Sequence, residues 1–362
     1  MAIWKIDELG EFVTLKRGYD LPQQKRKNGE IPIFSSSGVT GTHNEAMVEA
    51  PGVITGRYGT IGEVFFAETS FWPLNTTLYV ENFHENDEKF VYYFLKTLEW
   101  KKFASASAVP GINRNTVHKE IVRFPDFETQ QKIASVLSTI DKKIAVNKAI
   151  NDNLEQQAAA LFSSLYNRSN TEVRYTDLIQ ILGGGTPKTG ETAYWNGNIA
   201  FFTPKDVGTP YTFITEKTIT EEGLSHCNSR LYPVNTVFVT ARGTVGKVGL
   251  SGIPMAMNQS CYALVGKETH QLLVYFYTLK AVDRLKHKAS GAVFDAITTR
   301  DFDSEQIMKL SDDDAKAFLC VAKPMFQEML NNSIENLRLS TLRDFLLPKL
   351  MSGEIDVSSV QL

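Results

Sequence analysis

From Asp126 to Leu182 the chain holds neither glycine nor proline, and this stretch favours uninterrupted helix. Its apolar residues return every seven positions. One row runs Ile133, Ile140, Asn147, Leu154, Leu161; a second runs Leu137, Ile144, Asn151, Ala158, Leu165. Such spacing predicts a coiled-coil seam rather than a one-sided core helix. About 39 helical residues (128–166), rising ~1.5 Å each, make a rod of up to ~58 Å. A less regular seam follows later: Phe318, Ala322, Met325, Met329, Asn332, Asn336, Leu339, Leu346, Leu350. There Pro324 predicts a kink after the first turns, and Pro348 with Gly353 predicts the end. Each seam carries two asparagines near its midpoint. In an antiparallel pair Asn147 faces Asn336 and Asn151 faces Asn332, a polar layer that costs stability but fixes register. The alternative is solvent-facing asparagines on an irregular helix.

The flanking regions have another texture. Residues 1–125 and 170–310 alternate short β-rich runs, such as "GVITGRYG" and "TVFVTARG", with Gly, Pro and Asn punctuation. Each ends in an aromatic helical stretch (90–104 and 272–288), so both read as α+β domains. They also repeat one another. "GTIGEV" (59–64) matches "GTVGKV" (243–248), and "LNTTLYV" (74–80) matches "MNQSCYAL" (257–264). "FVYYFLK" (90–96) matches "LVYFYTLK" (273–280), and "SAVPGIN" (107–113) corresponds to "GAVFDAIT" (291–298). The offset stays within 183–185, so a single duplication explains the ordered set. The chain divides into 1–125, 126–168, 169–310 and 311–362. The expected fold is α+β, with two pseudo-twofold-related domains separated by an antiparallel coiled coil of two long helices.

Composition narrows the classes. A length of 362 residues predicts two domains or more, and 43% hydrophobic with 22% charged residues is ordinary for a soluble globular protein. No apolar run is long enough to span a membrane and no cleavable signal opens the chain. Three cysteines without C-x-x-C spacing fit reduced thiols, so a cytoplasmic protein is expected. The net charge of −3 argues against a strongly basic, non-specific nucleic-acid binder. The last block (311–362) has 5 Lys+Arg against 8 Asp+Glu, a poor nucleic-acid surface.

Catalytic patterns do not assemble. "GTPKTGET" (185–192) puts Glu191 where a phosphate-binding loop needs lysine, and Pro187 opposes the helix such a loop must open. The Pro-Asp of "PDFETQQ" and the later Asp141-Lys142-Lys143 faintly suggest a nuclease set, but the second element lies on a helix. The six histidines are scattered, without ligand spacing, so no metal site is expected. There is no G-x-S-x-G nucleophile turn and no N-P-P-[FYW] methyltransferase loop.

What remains is the phrase written twice, "RYGTIGEV" (57–64) and "ARGTVGKV" (241–248), each with an arginine just ahead of its first glycine. Glycines let backbone N–H groups approach phosphate oxygens, and arginine can clamp phosphate or read guanine bidentately. A β-turn with a solvated arginine reads equally well. At these residues the whole chain resembles the specificity subunit of type I restriction–modification systems. "GGGTPKTGETAYWNGNIAFFTPKDV" (183–207) and "IPIFSSSGVTGTHNE" (31–45) are similar to openings of its target-recognition domains, and the two glycine phrases to its R-x-G-[ST]-[IV]-G loop. "SAVPGINRNTVHKEIVRFPDFETQQKIASVLSTIDKKI" (107–144) resembles its passage from domain into conserved helix. "LRDFLLPKLMSGEI" (342–355) resembles its C-terminal ending. Two departures stand out: "SDDDAKAFLCVAKP" opens the second helical region without a proline-rich lead, and "VFDAI" replaces "VPGIN".

The resemblance implies two target-recognition domains and two conserved helical regions. It implies a non-catalytic subunit that binds a split double-stranded DNA sequence, the first domain reading the 5′ half-site and the second the 3′. It further implies recruitment of two methyltransferase (modification) subunits and, through them, restriction subunits, which would own S-adenosylmethionine, ATP and Mg²⁺. Candidate DNA contacts are Arg57, Tyr58, Thr60, Asn113 and Arg114 in the first head, with Ser35 and Ser36 weaker. In the second they are Lys205, Arg242, Thr244, Lys247, Asn258 and Thr298. Lys247 stands where Glu63 does, so the heads should differ in salt dependence. Off-seam apolar residues, among them Val146, Ile150, Leu342 and Phe345, are partner-surface candidates. A type II specificity chain and a two-headed protein-binding adaptor remain alternatives.

Overall fold

The computed structural model describes residues 3–105, 110–208, 210–288 and 296–360. The chain divides into two units, residues 1–145 with 336–362, and residues 146–335. In chain order the first repeat supplies β1 (Trp4–Glu8), β2 (Thr14–Arg17), β3 (Ile31–Ser35), β4 (Gly38–His43), β5 (Gly52–Gly56), β6 (Val64–Ala67), β7 (Trp72–Pro73) and β8 (Thr77–Asn82). Then come α1 (Glu88–Thr97), α2 (Arg114–His118), β9 (Ile121–Pro125) and the long α3 (Phe127–Arg168). The second repeat opens with β10 (Thr171–Arg174), α4 (Tyr175–Leu178), β11 (Ile179–Gly183), β12 (Trp195–Phe202), β13 (Tyr211–Thr212), β14 (Lys217–Ile219) and α5 (Glu221–Ser225). It continues through β15 (Val237–Thr240), β16 (Val248–Ser251), β17 (Met255–Met257), β18 (Cys261–Gly266), α6 (Gln271–Lys288), α7 (Thr299–Ser304), β19 (Gln306–Lys309) and α8 (Asp312–Ser352).

The duplication is topological as well as textual. In the first unit the sheets run β2-β8-β5-β6, β4-β3-β7 and β1-β9. In the second they run β11-β18-β15-β16-β13, β14-β12-β17 and β10-β19. Even the strand polarity is kept, since β7 lies parallel to β3 and β17 parallel to β12. The second unit adds β13, parallel to β16 at the sheet edge.

Each unit buries the aromatic helix that ends its head. Helix α1 starts at Asp87, whose carboxylate accepts the Phe90 N–H at 2.7 Å. Its Phe90, Val91 and Leu95 join Val53, Leu78 and Val80 of the sheet in one core. That core also takes Ile133, Ala134 and Leu137 of α3 with Leu350 and Met351 of α8. In the second unit Phe162 of α3 stacks on Phe276 of α6 at 5.0 Å between centroids, and Phe318 of α8 meets Phe276 edge-on at 5.2 Å. The long helices are therefore core elements of both heads.

Within each unit the α3 and α8 segments run antiparallel. In the first, Asp141 takes a bond from Arg343 Nη1 at 2.7 Å, while Ile133 and Leu137 share the core with Leu350. In the second, Asn147 donates to Glu335 at 2.6 Å and Asn151 accepts from Asn332 at 3.0 Å, and Arg168 lies 4.0 Å from Asp314. Asn151 also donates to the Met329 carbonyl and to Ser333, each at 3.2 Å. Each head clasps α3 through a tyrosine and an acid: Tyr93 donates to Asp141 at 2.6 Å, and Tyr275 to Glu155 at 2.9 Å. Of the two seams, Ile133, Leu137, Ile144, Asn147, Asn151, Met329 and Asn332 are buried, whereas Ile140, Leu154, Leu161, Met325, Asn336 and Leu339 are half-buried.

One proline departs from expectation, since Pro348 does not end its helix. Pro324 and Pro348 both lie inside α8, and the helix ends only at Ser352, before Gly353 at φ +75°. An internal proline costs ~3 kcal/mol or more through its missing N–H and its ring. Buried anchors on either side outweigh that: Ala322, Phe326 and Met329 around Pro324, and Leu350 and Met351 beyond Pro348. Among the described residues no helix is long and apolar enough to cross a membrane. Parts of two matched segments, 107–109 and 291–295, lie outside the described residues.

Candidate functional site

The repeated phrase is the connection of a hairpin, β5 to β6 in the first head and β15 to β16 in the second. All four glycines need the left-handed region: Gly59 and Gly62 lie at φ +74° and +90°, Gly243 and Gly246 at +81° and +74°. The second glycine of each pair also faces helical residues, the short turn after α1 in the first head and α6 in the second. A Cβ on Gly62 would meet Trp100, and one on Gly246 would meet Val282 and Lys286.

The loop is tied on both sides. In the first head the Thr76 carbonyl accepts the N–H groups of Arg57 at 2.8 Å and Tyr58 at 3.2 Å. Ile112 N–H returns to the Arg57 carbonyl at 3.0 Å, and Tyr58 bridges Gly111. In the second head the Ser260 carbonyl accepts from Ala241 at 2.8 Å and Arg242 at 3.2 Å. Ile297 N–H returns to the Ala241 carbonyl at 2.9 Å, and Arg242 bridges Ala296. The two arginines are thus not counterparts. Arg57 occupies the place of Ala241, and Tyr58 that of Arg242. The letters and the hydrogen bonds agree on this offset of one residue, which in extended backbone is a change of face.

Arg57, Tyr58, Asn113 and Arg114 come together in the first head. They line a cavity of about 560 Å³ with Lys16, Arg17 and Ser105. Arg57 Nε donates to the Ile112 carbonyl at 3.2 Å, and its guanidinium carbon sits 4.6 Å from the Tyr58 ring centroid. Lys16 pairs with Glu81, which raises its pKa above the usual lysine value, and Arg17 lies 3.3 Å from Asp20. Arg114 is exposed on the first turn of α2. Thr60 is exposed in the loop but does not line this cavity. Asn113 caps α2, its side chain accepting the Asn115 N–H at 3.0 Å. Ser35 bonds Ser37 and the Gly38 carbonyl within its own turn, and Ser36 packs beside Gly59.

In the second head Arg242 and Lys247 are exposed on the loop. The Thr244 hydroxyl donates to the Pro204 carbonyl at 3.1 Å, which brings the loop against the turn bearing Lys205, itself 3.5 Å from Glu216. Asn258 accepts the Ser260 N–H at 3.0 Å. Thr298 caps α7 in a capping box with Asp301. Asn113, Thr298 and Asn258 thus each commit a side-chain oxygen to holding local backbone, and Thr244 commits its hydroxyl to the Pro204 turn. Sequence reasoning passed over Lys16, Arg17, Ser105 and Gly111. The signal for the first two was the basic pair at the end of β2 in "TLKRGYD" (14–20).

A family model described as the type I restriction modification DNA specificity domain matches residues 1–156 and again 167–309. The chain is 25% identical to the type I restriction enzyme HindI specificity subunit of Haemophilus influenzae, over 72% of this chain and 75% of that protein. It is 32% identical to the MjaIX specificity subunit of Methanocaldococcus jannaschii, over 33% of this chain and 29% of that one. In fold it matches the crystal structure of a type I restriction–modification S subunit from M. genitalium, with a TM-score of 0.65 at 17% identity, covering 97% of this chain and 96% of that one. With the specificity domain present twice over most of its length, the chain belongs to the type I restriction–modification specificity family and is a DNA sequence-recognition subunit with two target-recognition domains.

Proposed function

We propose that each head reads one half of a split DNA sequence, the first the 5′ half-site and the second the 3′. The observation that carries this is the glycine loop built twice, bonded each time to the segment that leads into a short capped helix. Two non-identical readers in one chain suit a target whose halves differ, as twofold-related readers suit palindromes. In the first head, cations around the cleft take phosphates and fix register, while directional groups read base edges.

The helices present a surface for partners. Val146 is 52% exposed and Ile150 42% on α3, four residues apart and so on one face; Leu342 is 46% and Phe345 59% exposed on α8. Apolar side chains left outside their own head fit docking of two methyltransferase subunits, which in turn carry restriction subunits. The chain supplies recognition to a cytoplasmic complex, and S-adenosylmethionine, ATP and Mg²⁺ belong to its partners.

Co-purification and DNA binding test the proposal together. The chain is expected to hold methyltransferase subunits and, with them, to prefer one split duplex over scrambled ones. Sequence-blind binding by that complex would refute it. Changing Leu342 and Phe345 to Ser should release the methyltransferase while leaving the chain folded.

A further inference from the structure

The same loop presents an arginine on different faces in the two heads, and the first head fixes it. We infer that Arg57 is a base-reading residue of the first half-site, oriented by Tyr58 and Gly111, whereas Arg242 is a phosphate contact of the second. The inference rests on the DNA-recognition reading above and assigns roles within it.

In the first head three groups pack together. Gly111 lies against the Tyr58 ring so closely that a Cβ there would run into it. On that ring sits the Arg57 guanidinium, 4.6 Å from the centroid, with Nε given to the Ile112 carbonyl at 3.2 Å. The committed Nε leaves the end-on pair of terminal nitrogens, a planar fork that matches guanine O6 and N7. A guanidinium already held loses little freedom on binding, which favours a directional contact over a diffuse one. The cleft supplies other cations for phosphates, namely Lys16, Arg17 and Arg114.

Among the described residues the second head has no such scaffold. Ala241 stands at the place of Arg57, and Arg242 at the place of Tyr58, exposed and opposite Ala296 rather than glycine. With no ring to seat, a Cβ at 296 is tolerated, and alanine stands there where the first head has Gly111. An exposed cation with Lys247 on the same loop suits phosphate, a sequence-independent contact.

The test uses the complex with its methyltransferase subunits and duplexes in which each pair of the target is varied singly. Arg57→Lys should lose roughly 5- to 150-fold discrimination at one G·C pair of the first half-site, the range for one bidentate contact. Gly111→Ala should relax the same pair with the arginine still present, and retained second half-site preference shows that the chain is folded. Arg242→Lys should keep all preferences. Arg242→Ala should weaken binding to every sequence alike, with the salt slope shallower by about one contact. Full discrimination in Arg57→Lys, or a base pair relaxed by Arg242→Lys, overturns the assignment while leaving DNA recognition standing. A wild-type complex without sequence preference would instead remove the reading beneath it.

Discussion

Gly246 shows how much of the loop was legible and where legibility stopped. A glycine phrase repeated half a chain apart has few physical causes, and left-handed backbone is the plainest; all four glycines adopt it. An L-residue in that region costs ~1–2 kcal/mol, and a Cβ at 246 also presses on Lys286 and Val282. Gly246→Ala should therefore destabilise the second head by ~1–3 kcal/mol in denaturant unfolding. The arginines were harder to read, because the one-residue offset between "RYG" and "ARG" becomes a difference of face only through the extended backbone that the hydrogen bonds hold. Asn113 and Thr298 illustrate the other difficulty: short polar residues before a helix serve as caps and as base readers with the same letters.

At the level of elements, α3 was readable because its heptads hold without glycine or proline, and it spans Phe127–Arg168. Helix α8 was legible as a helix from its own seam, but its run past Pro348 to Ser352 was not, because Leu350 and Met351 are held there by a core built from residues distant in sequence, such as Ile133 and Leu137. The buried Asn151–Asn332 pair gives a direct test. Asn332→Leu leaves the Asn151 side-chain oxygen without its 3.0 Å donor and should cost ~1–3 kcal/mol. Joining Asn151→Leu to it should restore much of that loss, which a double-mutant cycle measures. Glu155 gives a pH test. Burial is the main cause that raises its pKa above the ordinary carboxyl value, opposed by the Tyr275 hydroxyl. The protonated form is favoured in the fold, so its stabilising effect is complete below about pH 4 and is lost as pH rises through the raised value. Glu155→Gln should hence gain on the wild type as pH rises through the raised value and show no advantage in acid, by unfolding across that range.

For the whole molecule, both long helices contribute to both units, α3 through residues on either side of 145 and α8 on either side of 336. If they set the distance between half-sites, a heptad added to each at facing positions adds ~10 Å of helix, about three base pairs. The methylated motif should keep its two halves and gain that much unspecified spacer, read by sequencing of modified DNA. The central claim, one head for each half-site, is tested most directly by mapping methylated bases in cells that carry the wild-type chain, no chain, or a chain with residues 1–125 exchanged for those of another specificity subunit. The account predicts a split motif that disappears without the chain and changes in its 5′ half alone after the exchange. A motif that survives loss of the chain, or one whose two halves change together, would contradict it.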